Sequence, residues 1–200
     1  MRSIVLVFFC AVALNLGAHN SAQAQETVAI LMPGAAGVAP GDFLMRNRAR
    51  IEGAGIRTIV TTSFSEAASL SQAETAKGSK VVLVGMSRGA LHVASALASG
   101  ARVRGAVFVS GNYDAVKSLL GSPAALPQSL VVHHRRDACK FTRPGAAPGF
   151  AAWSAGKASL RWIDTQGTPV PNECGPRGAH GFFQQDGPAI SAIVGFIRSR

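Results

Sequence analysis

Beyond residue 24 the chain alternates short, continuous apolar runs with longer stretches of helical spacing. The run at 27–32, Thr-Val-Ala-Ile-Leu-Met, has no polar interruption and ends at Pro33-Gly34, which predicts a buried strand. Comparable runs at 57–61, 81–84, 105–109, 130–133 and 160–163 predict five more. Between them, residues 42–54 repeat apolar positions at helical spacing and stop at Gly55, which predicts a helix. Residues 65–76, 88–97, 148–155 and 189–197 predict four others, the first with Gly78 just past its end and the second closed by Ser99-Gly100. The stretches 111–127 and 144–148 carry Gly, Ser and Pro and read as surface connections. Strands that are apolar throughout, alternating with helices, predict an α/β fold. Its core is a mostly parallel central sheet of about six strands with helices on both faces. Ligands in such sheets lie beyond the carboxyl ends of the strands, so the residues just after each strand are the ones that matter.

Residues 1–24 follow a different pattern. Met1-Arg2 gives a positive start, residues 4–18 are almost wholly apolar, and Ala22-Gln23-Ala24 places small residues at −3 and −1 of a cut before Gln25. That is the arrangement of a secretory signal peptide, too short in its apolar part for a comfortable membrane span. It predicts an exported protein, periplasmic or secreted, with residues 25–200 as a single domain and no stable membrane insertion once the leader is gone. Cys10 leaves with the leader, so Cys139 and Cys174 remain in an oxidising compartment.

Composition narrows the picture. With 48% hydrophobic and only 15% charged residues, the chain is globular and is not a coiled coil. The net charge of +10 favours anionic partners, yet no basic block exceeds Arg135-Arg136, so no nucleic acid is expected.

Chemistry enters after the third strand, as Gly85-Met86-Ser87-Arg88-Gly89. A sharp strand-to-helix turn exposes the serine hydroxyl in a strained conformation, and the two glycines remove the Cβ atoms that would crowd it. Such a serine sits at a helix N-terminus, where the amide of Arg88 could face a developing oxyanion. A serine needs a base, and Asp137 and His180 follow in chain order, each beyond a predicted strand. Asp114 is a rival acid and Asp164 a weaker one. Asp137 could instead pair with Arg135 or Arg136, and His180 could simply pack beneath Phe182. His133-His134 read as strand-end residues near the acid loop and His92 as structural; no ligand set at zinc spacing is present, so no metal is expected. The second oxyanion donor is expected from Gly34 or Ala35 after the first strand. No phosphate loop and no dinucleotide fingerprint occurs, and no cofactor is expected. A Cys139–Cys174 bridge would tie the acid loop to the histidine loop; the alternatives are a staple without catalytic consequence or two free thiols. Arg88, Arg135 and Arg136 hint at an anionic group on the substrate, against a reading as solvated arginines.

With these residues in place, the chain resembles the α/β-hydrolase superfamily, in particular small exported bacterial members with little or no lid. The resemblance rests on Gly85-Met86-Ser87-Arg88-Gly89, on Asp137 after its strand, and on Gly178-Ala179-His180-Gly181. It implies a minimal α/β-hydrolase fold with Ser87 as nucleophile, Asp137 as acid and His180 as base. The implied activity is that of a serine hydrolase cleaving a small-molecule ester or thioester through an acyl-enzyme. Three features depart from the superfamily: opening antiparallel strands are missing, Pro33-Gly34 stands where a His-Gly oxyanion sequence is familiar, and no cap domain separates Val109 from Leu130. The competing reading is a non-catalytic cationic module on the same fold that binds anionic envelope polymers.

Overall fold

All six apolar runs form strands, and every strand pairing is parallel. The computed structural model of the chain describes residues 25–164 and 170–200. The leader expected at 1–24 lies outside the described residues. In chain order the strands are β1 (Thr27–Met32), β2 (Arg57–Val60), β3 (Lys80–Met86), β4 (Gly105–Val109), β5 (Ser129–His134) and β6 (Ala158–Ile163). Their spatial order is β2-β1-β3-β4-β5-β6. The chain therefore starts inside the sheet, steps to one edge, and then runs strand by strand to the other. The reversal lies between β1 and β3, where the connections leave in opposite directions and open a crevice at the carboxyl ends.

Two apolar layers sandwich the sheet. On one face pack α3 (Phe64–Ala76), α4 (Arg88–Ala98), α5 (Tyr113–Leu120) and α6 (Ala146–Trp153), through residues such as Ala67, Ala94, Val116 and Phe150. On the other pack α1 (Phe43–Arg46), α2 (Arg48–Glu52) and α7 (Asp186–Arg198), through Phe43, Ile51, Ile190 and Ile193. Burial on both faces is why β1, β3, β4 and β5 carry no polar alternation. The edge strand β6 does alternate, with Ser159 and Arg161 exposed.

Two predicted elements differ. The helix expected over 42–54 is broken into α1 and α2 at Asn47, whose side-chain amide donates to the Phe43 carbonyl at 2.9 Å and displaces the backbone amide from that acceptor. The stretch 111–127, read as a surface connection, contains α5. Its N-cap Asn112 accepts from the Ala115 amide at 3.1 Å, and Gly121 ends it with φ 68°. Other boundaries move by up to three residues.

Candidate active site

At the crevice, β3 turns into α4 through Ser87, which adopts φ 53° and ψ −110°. A non-glycine residue in this region costs about 1–3 kcal/mol and persists only where neighbours enforce it. Here the enforcement is steric. A Cβ on Gly85 would lie 2.7 Å from the Ala90 nitrogen, and one on Gly89 would overlap the Met32 carbonyl of β1. Ser87 is anchored by its own amide, which donates to the Val109 carbonyl of β4 at 2.8 Å. Gly34, just past β1, packs against it: a Cβ there would stand 3.5 Å from the Ser87 Cβ. The Gly34 amide, however, donates to Asp42 Oδ2 at 2.9 Å. Of the two donors expected after β1, Gly34 is thereby committed elsewhere and Ala35 remains. Ala35 and Arg88 line one cleft with Ser87.

Asp137 follows β5 by three residues and is buried. His180 lies in a short 3-10 turn, Ala179–Gly181, and is also buried. Its Nδ1 lies 2.9 Å from Asp137 Oδ2. The other oxygen, Oδ1, accepts the Cys139 amide at 2.9 Å. Thr142 Oγ1 completes the cluster, 3.2 Å from Asp137 Oδ2 and 3.1 Å from His180 Nδ1. Burial alone would raise the Asp137 carboxyl. Hydrogen bonds from His133 and His180 outweigh it and hold the carboxyl at about 2, so it is an anion under any ordinary condition. The His180 carbonyl accepts from Ser110 Oγ at 2.9 Å. Ser110 itself has φ 44° and follows directly on Val109, the residue that holds the Ser87 amide. The nucleophile segment and the histidine segment are thus tied to consecutive residues at the end of β4.

The rivals fall away. Asp114 is 75% exposed in its side chain and pairs with Lys117 at 2.7 Å. Asp164 is exposed and pairs with Arg135 at 3.3 Å. Arg135 stacks over Trp162, and the Asp137 oxygens are taken by His133, His180, Thr142 and the Cys139 amide rather than by Arg135 or Arg136. The anionic-substrate hint accordingly loses Arg135. His133 and His134 do not act as a pair: His133 lies on Asp137, whereas His134 turns to the Arg136 amide. Among the described residues no group of three His, Cys, Asp or Glu side chains could hold a metal.

Cys139 and Cys174 are joined, with Cα atoms 4.5 Å apart. The bridge ties the acid loop to the segment leading to His180 and forms part of the cleft wall. A second clamp was not foreseen from the sequence. Arg46, on α1, pairs with Asp186 of α7 at 2.6 Å and also donates to the carbonyl of Gly181, the residue after the histidine. It was hidden because its partners lie far away in the chain. Gly181 must be glycine, since a Cβ would overlap Pro176. The cleft has a volume of about 390 Å³ and an apolar wall of Leu91, Phe141 and the disulfide. Phe141 is 64% exposed at its mouth.

The six-stranded fold matches solved structures. No family model matches the chain, and no curated protein matches it. An esterase from Exiguobacterium antarcticum is similar over 87% of this chain and 92% of its own, with TM-score 0.60 and 11% identity. An α/β hydrolase enzyme from the metagenome of lagoon sediments at Mar Chica, Morocco, is similar over 88% and 92%, with TM-score 0.60 and 16% identity. The chain has the α/β-hydrolase fold. The disulfide is compatible with export, and no described helix is long and apolar enough to cross a membrane.

Proposed function

We propose that the chain is a serine hydrolase that cleaves an ester or thioester of a small molecule, with Ser87, His180 and Asp137 as its triad. The observation that carries the reading is the buried Asp137–His180 hydrogen bond of 2.9 Å, with the His180 carbonyl held by Ser110, next to the Val109 carbonyl that anchors a strained Ser87. Asp137 fixes His180 with its proton on Nδ1, which leaves Nε2 to take the Ser87 proton as Oγ attacks the carbonyl carbon. The amides of Arg88 and Ala35 would receive the oxyanion, the first lying at a helix N-terminus, where amides have no intrahelical acceptor. His180 then returns the proton to the departing alcohol or thiol. Water repeats the sequence on the acyl-enzyme and releases the acid. No step needs a metal or a redox cofactor. A non-catalytic cationic module would gain nothing from a strained serine beside a buried carboxylate–imidazole pair.

Fluorophosphonate labelling of the protein from Gln25 onward, followed by peptide mapping, tests the reading. The expected result is one adduct on Ser87, lost in Ser87→Ala and reduced at least a hundredfold in rate in His180→Ala. Absence of labelling in folded, disulfide-intact protein would overturn it. Residues 1–24 are proposed to be the export leader, and N-terminal sequencing of protein recovered from outside the cytoplasm should begin at Gln25.

A further inference from the structure

Asp137 Oδ2 serves two imidazoles, and the triad uses only one of them. His133 Nε2 lies 3.0 Å from the same oxygen that His180 Nδ1 approaches to 2.9 Å. On the far side of the His133 ring, Nδ1 lies 2.8 Å from the Tyr113 hydroxyl. His133 and Tyr113 are both completely buried. Nothing in the hydrolytic cycle requires either, and a buried imidazole that merely filled space could be replaced by an apolar ring.

We propose that Tyr113 and His133 form a second arm behind the acid, in which Tyr113 fixes the His133 tautomer, His133 donates to the oxygen shared with His180, and this sharing sets the pH at which His180 can act as a base. The proposal deepens the serine-hydrolase reading and rests on it. Both residues are positioning residues: they act through Asp137 and touch no substrate.

The proton placement follows from the partners. A carboxylate oxygen can only accept, so His133 Nε2 must carry a proton. A neutral ring then has Nδ1 as an acceptor, and the Tyr113 hydroxyl supplies the donor. Burial pushes the Tyr113 phenol far above its usual range, so that proton stays in place at any working pH. Each donor on Oδ2 draws charge from it. With His133 and Thr142 also bound, Oδ2 is a weaker acceptor for His180 than a carboxylate serving one imidazole alone. Removing the His133 donor returns that charge to the His180 side and favours the imidazolium.

Around the arm, Asp114, Lys140 and Arg143 line a surface cavity together with Tyr113. Beside His133 on β5 stands His134, whose imidazole burial pushes down. From the β6 side come Trp162, edge-on to His133 at 6.2 Å, and the Arg135–Asp164 pair, which is exposed. From α6 comes Phe150, stacked on Tyr113 at 5.5 Å. From the acid loop come Thr142 and the Arg136 backbone, and from the 3-10 turn His180 itself. Among the described residues, Asp137 is the one carboxylate hydrogen-bonded to His133 and His180.

The test follows the histidine rings by nitrogen–proton NMR across a pH titration, in wild type, His133→Leu, His133→Gln and Tyr113→Phe. Fluorophosphonate labelling rates are recorded on the same samples. In wild type, His133 should show its proton on Nε2. In His133→Leu, the His180 titration and the acid limb of labelling should both move up by about one pH unit. His133→Gln, which restores an N–H donor, should return both most of the way. Tyr113→Phe should leave the His180 midpoint within about 0.3 of wild type while His133 Nδ1 loses its acceptor signature. The arm is overturned if the His180 midpoint is the same in wild type, His133→Leu and His133→Gln, or if His133 carries its proton on Nδ1. Should His133→Leu not fold, His133→Phe, which also removes the donor from Asp137 Oδ2, carries the coupling test, and the wild-type spectrum still decides the tautomer. Failure of wild type to label at all would remove the hydrolase reading, whereas the ring titrations would still report on the arm.

Discussion

Ser87 and His180 are tied to consecutive residues at the end of β4 but are held by different means. The nucleophile turn is enforced by atoms that cannot be present: Gly85 and Gly89 admit the close crossing of α4 over β3 and β1 because neither carries a Cβ. The base is enforced by atoms that must be present. His180 depends on Asp137, 43 positions back in the chain, on Ser110, 70 back, and on the Arg46 guanidinium, which reaches the next residue from α1. A disulfide spanning 35 positions holds its approach to the acid loop. A steric device is compact in sequence and intolerant of change. A tethered device is spread through the chain and gives way in steps.

The largest effect expected from this contrast is at Gly89. Gly89→Ala places a methyl group onto the Met32 carbonyl, which belongs to a central strand and has no room to retreat. We expect a loss of about 5 kcal/mol or more, comparable to the whole stability of many domains, seen as failure to recover folded protein. Recovery of Gly89→Ala with a near-native melting temperature would mean that the turn is softer than its geometry. By comparison, Gly145→Ala meets open space and should change little.

Next comes the tether. Cys139→Ser/Cys174→Ser should lose about 4 kcal/mol by loop-closure entropy. The comparison sharpens if labelling of Ser87 is followed in the same variant. The labelling rate should fall through misplacement of His180 while the Ser87 turn survives. A variant that loses stability but labels at the wild-type rate would show the bridge to be a staple without influence on the base.

The same contrast explains what could be read in the sequence. The sheet was legible because its strands are buried on both faces and therefore apolar without interruption, as in residues 81–84. The nucleophile turn was legible because its steric rule is written within five residues. Asp137 and His180 could be named as beyond-strand residues, but their contact depends on where β5 and the 3-10 turn come to lie. Arg46, Thr142 and Tyr113 carried no signal at all, since each matters only through a partner brought near by folding. His133 was read as packing near the acid loop. Its place was right, but its hydrogen bond to Asp137 was not foreseen. The helix α5 was missed for a different reason: its Gly- and Ser-rich surroundings outweighed a good N-cap in Asn112.

A smaller effect concerns acid. Asp137 titrates at about 2 in the folded chain against an ordinary value of 3.8, because the hydrogen bonds to His133 and His180 outweigh its burial. The depressed value stabilises the fold fully above about pH 4, and that contribution, about 2 kcal/mol, is lost as pH falls from 4 towards 2. Denaturant midpoints measured from pH 5 to pH 2 should therefore fall less steeply in Asp137→Asn than in wild type. Equal slopes would place the acid sensitivity elsewhere, and Asp42, whose carboxyl is raised chiefly by burial, cannot supply it with this sign.

The smallest effect is expected at Asp114, the rival acid. Asp114 opens α5, close to the cleft in sequence terms, and a beyond-strand position alone does not distinguish it from Asp137. Their surroundings do. Asp114 is largely solvated and faces Lys117 one turn along the helix, an arrangement worth a few tenths of a kcal/mol at most. It has no path to His180, which is enclosed by Asp137, Thr142 and the disulfide-held loop. Asp114→Asn should therefore label within about twofold of wild type, whereas Asp137→Asn should fall by about 10⁴, since an amide cannot hold the required tautomer. A reversed ranking would mean that the acid loop rearranges when substrate binds and that α5 supplies the charge. It would also leave the second arm through His133 without a partner, so this pair of variants tests the static geometry of the whole acid–base side.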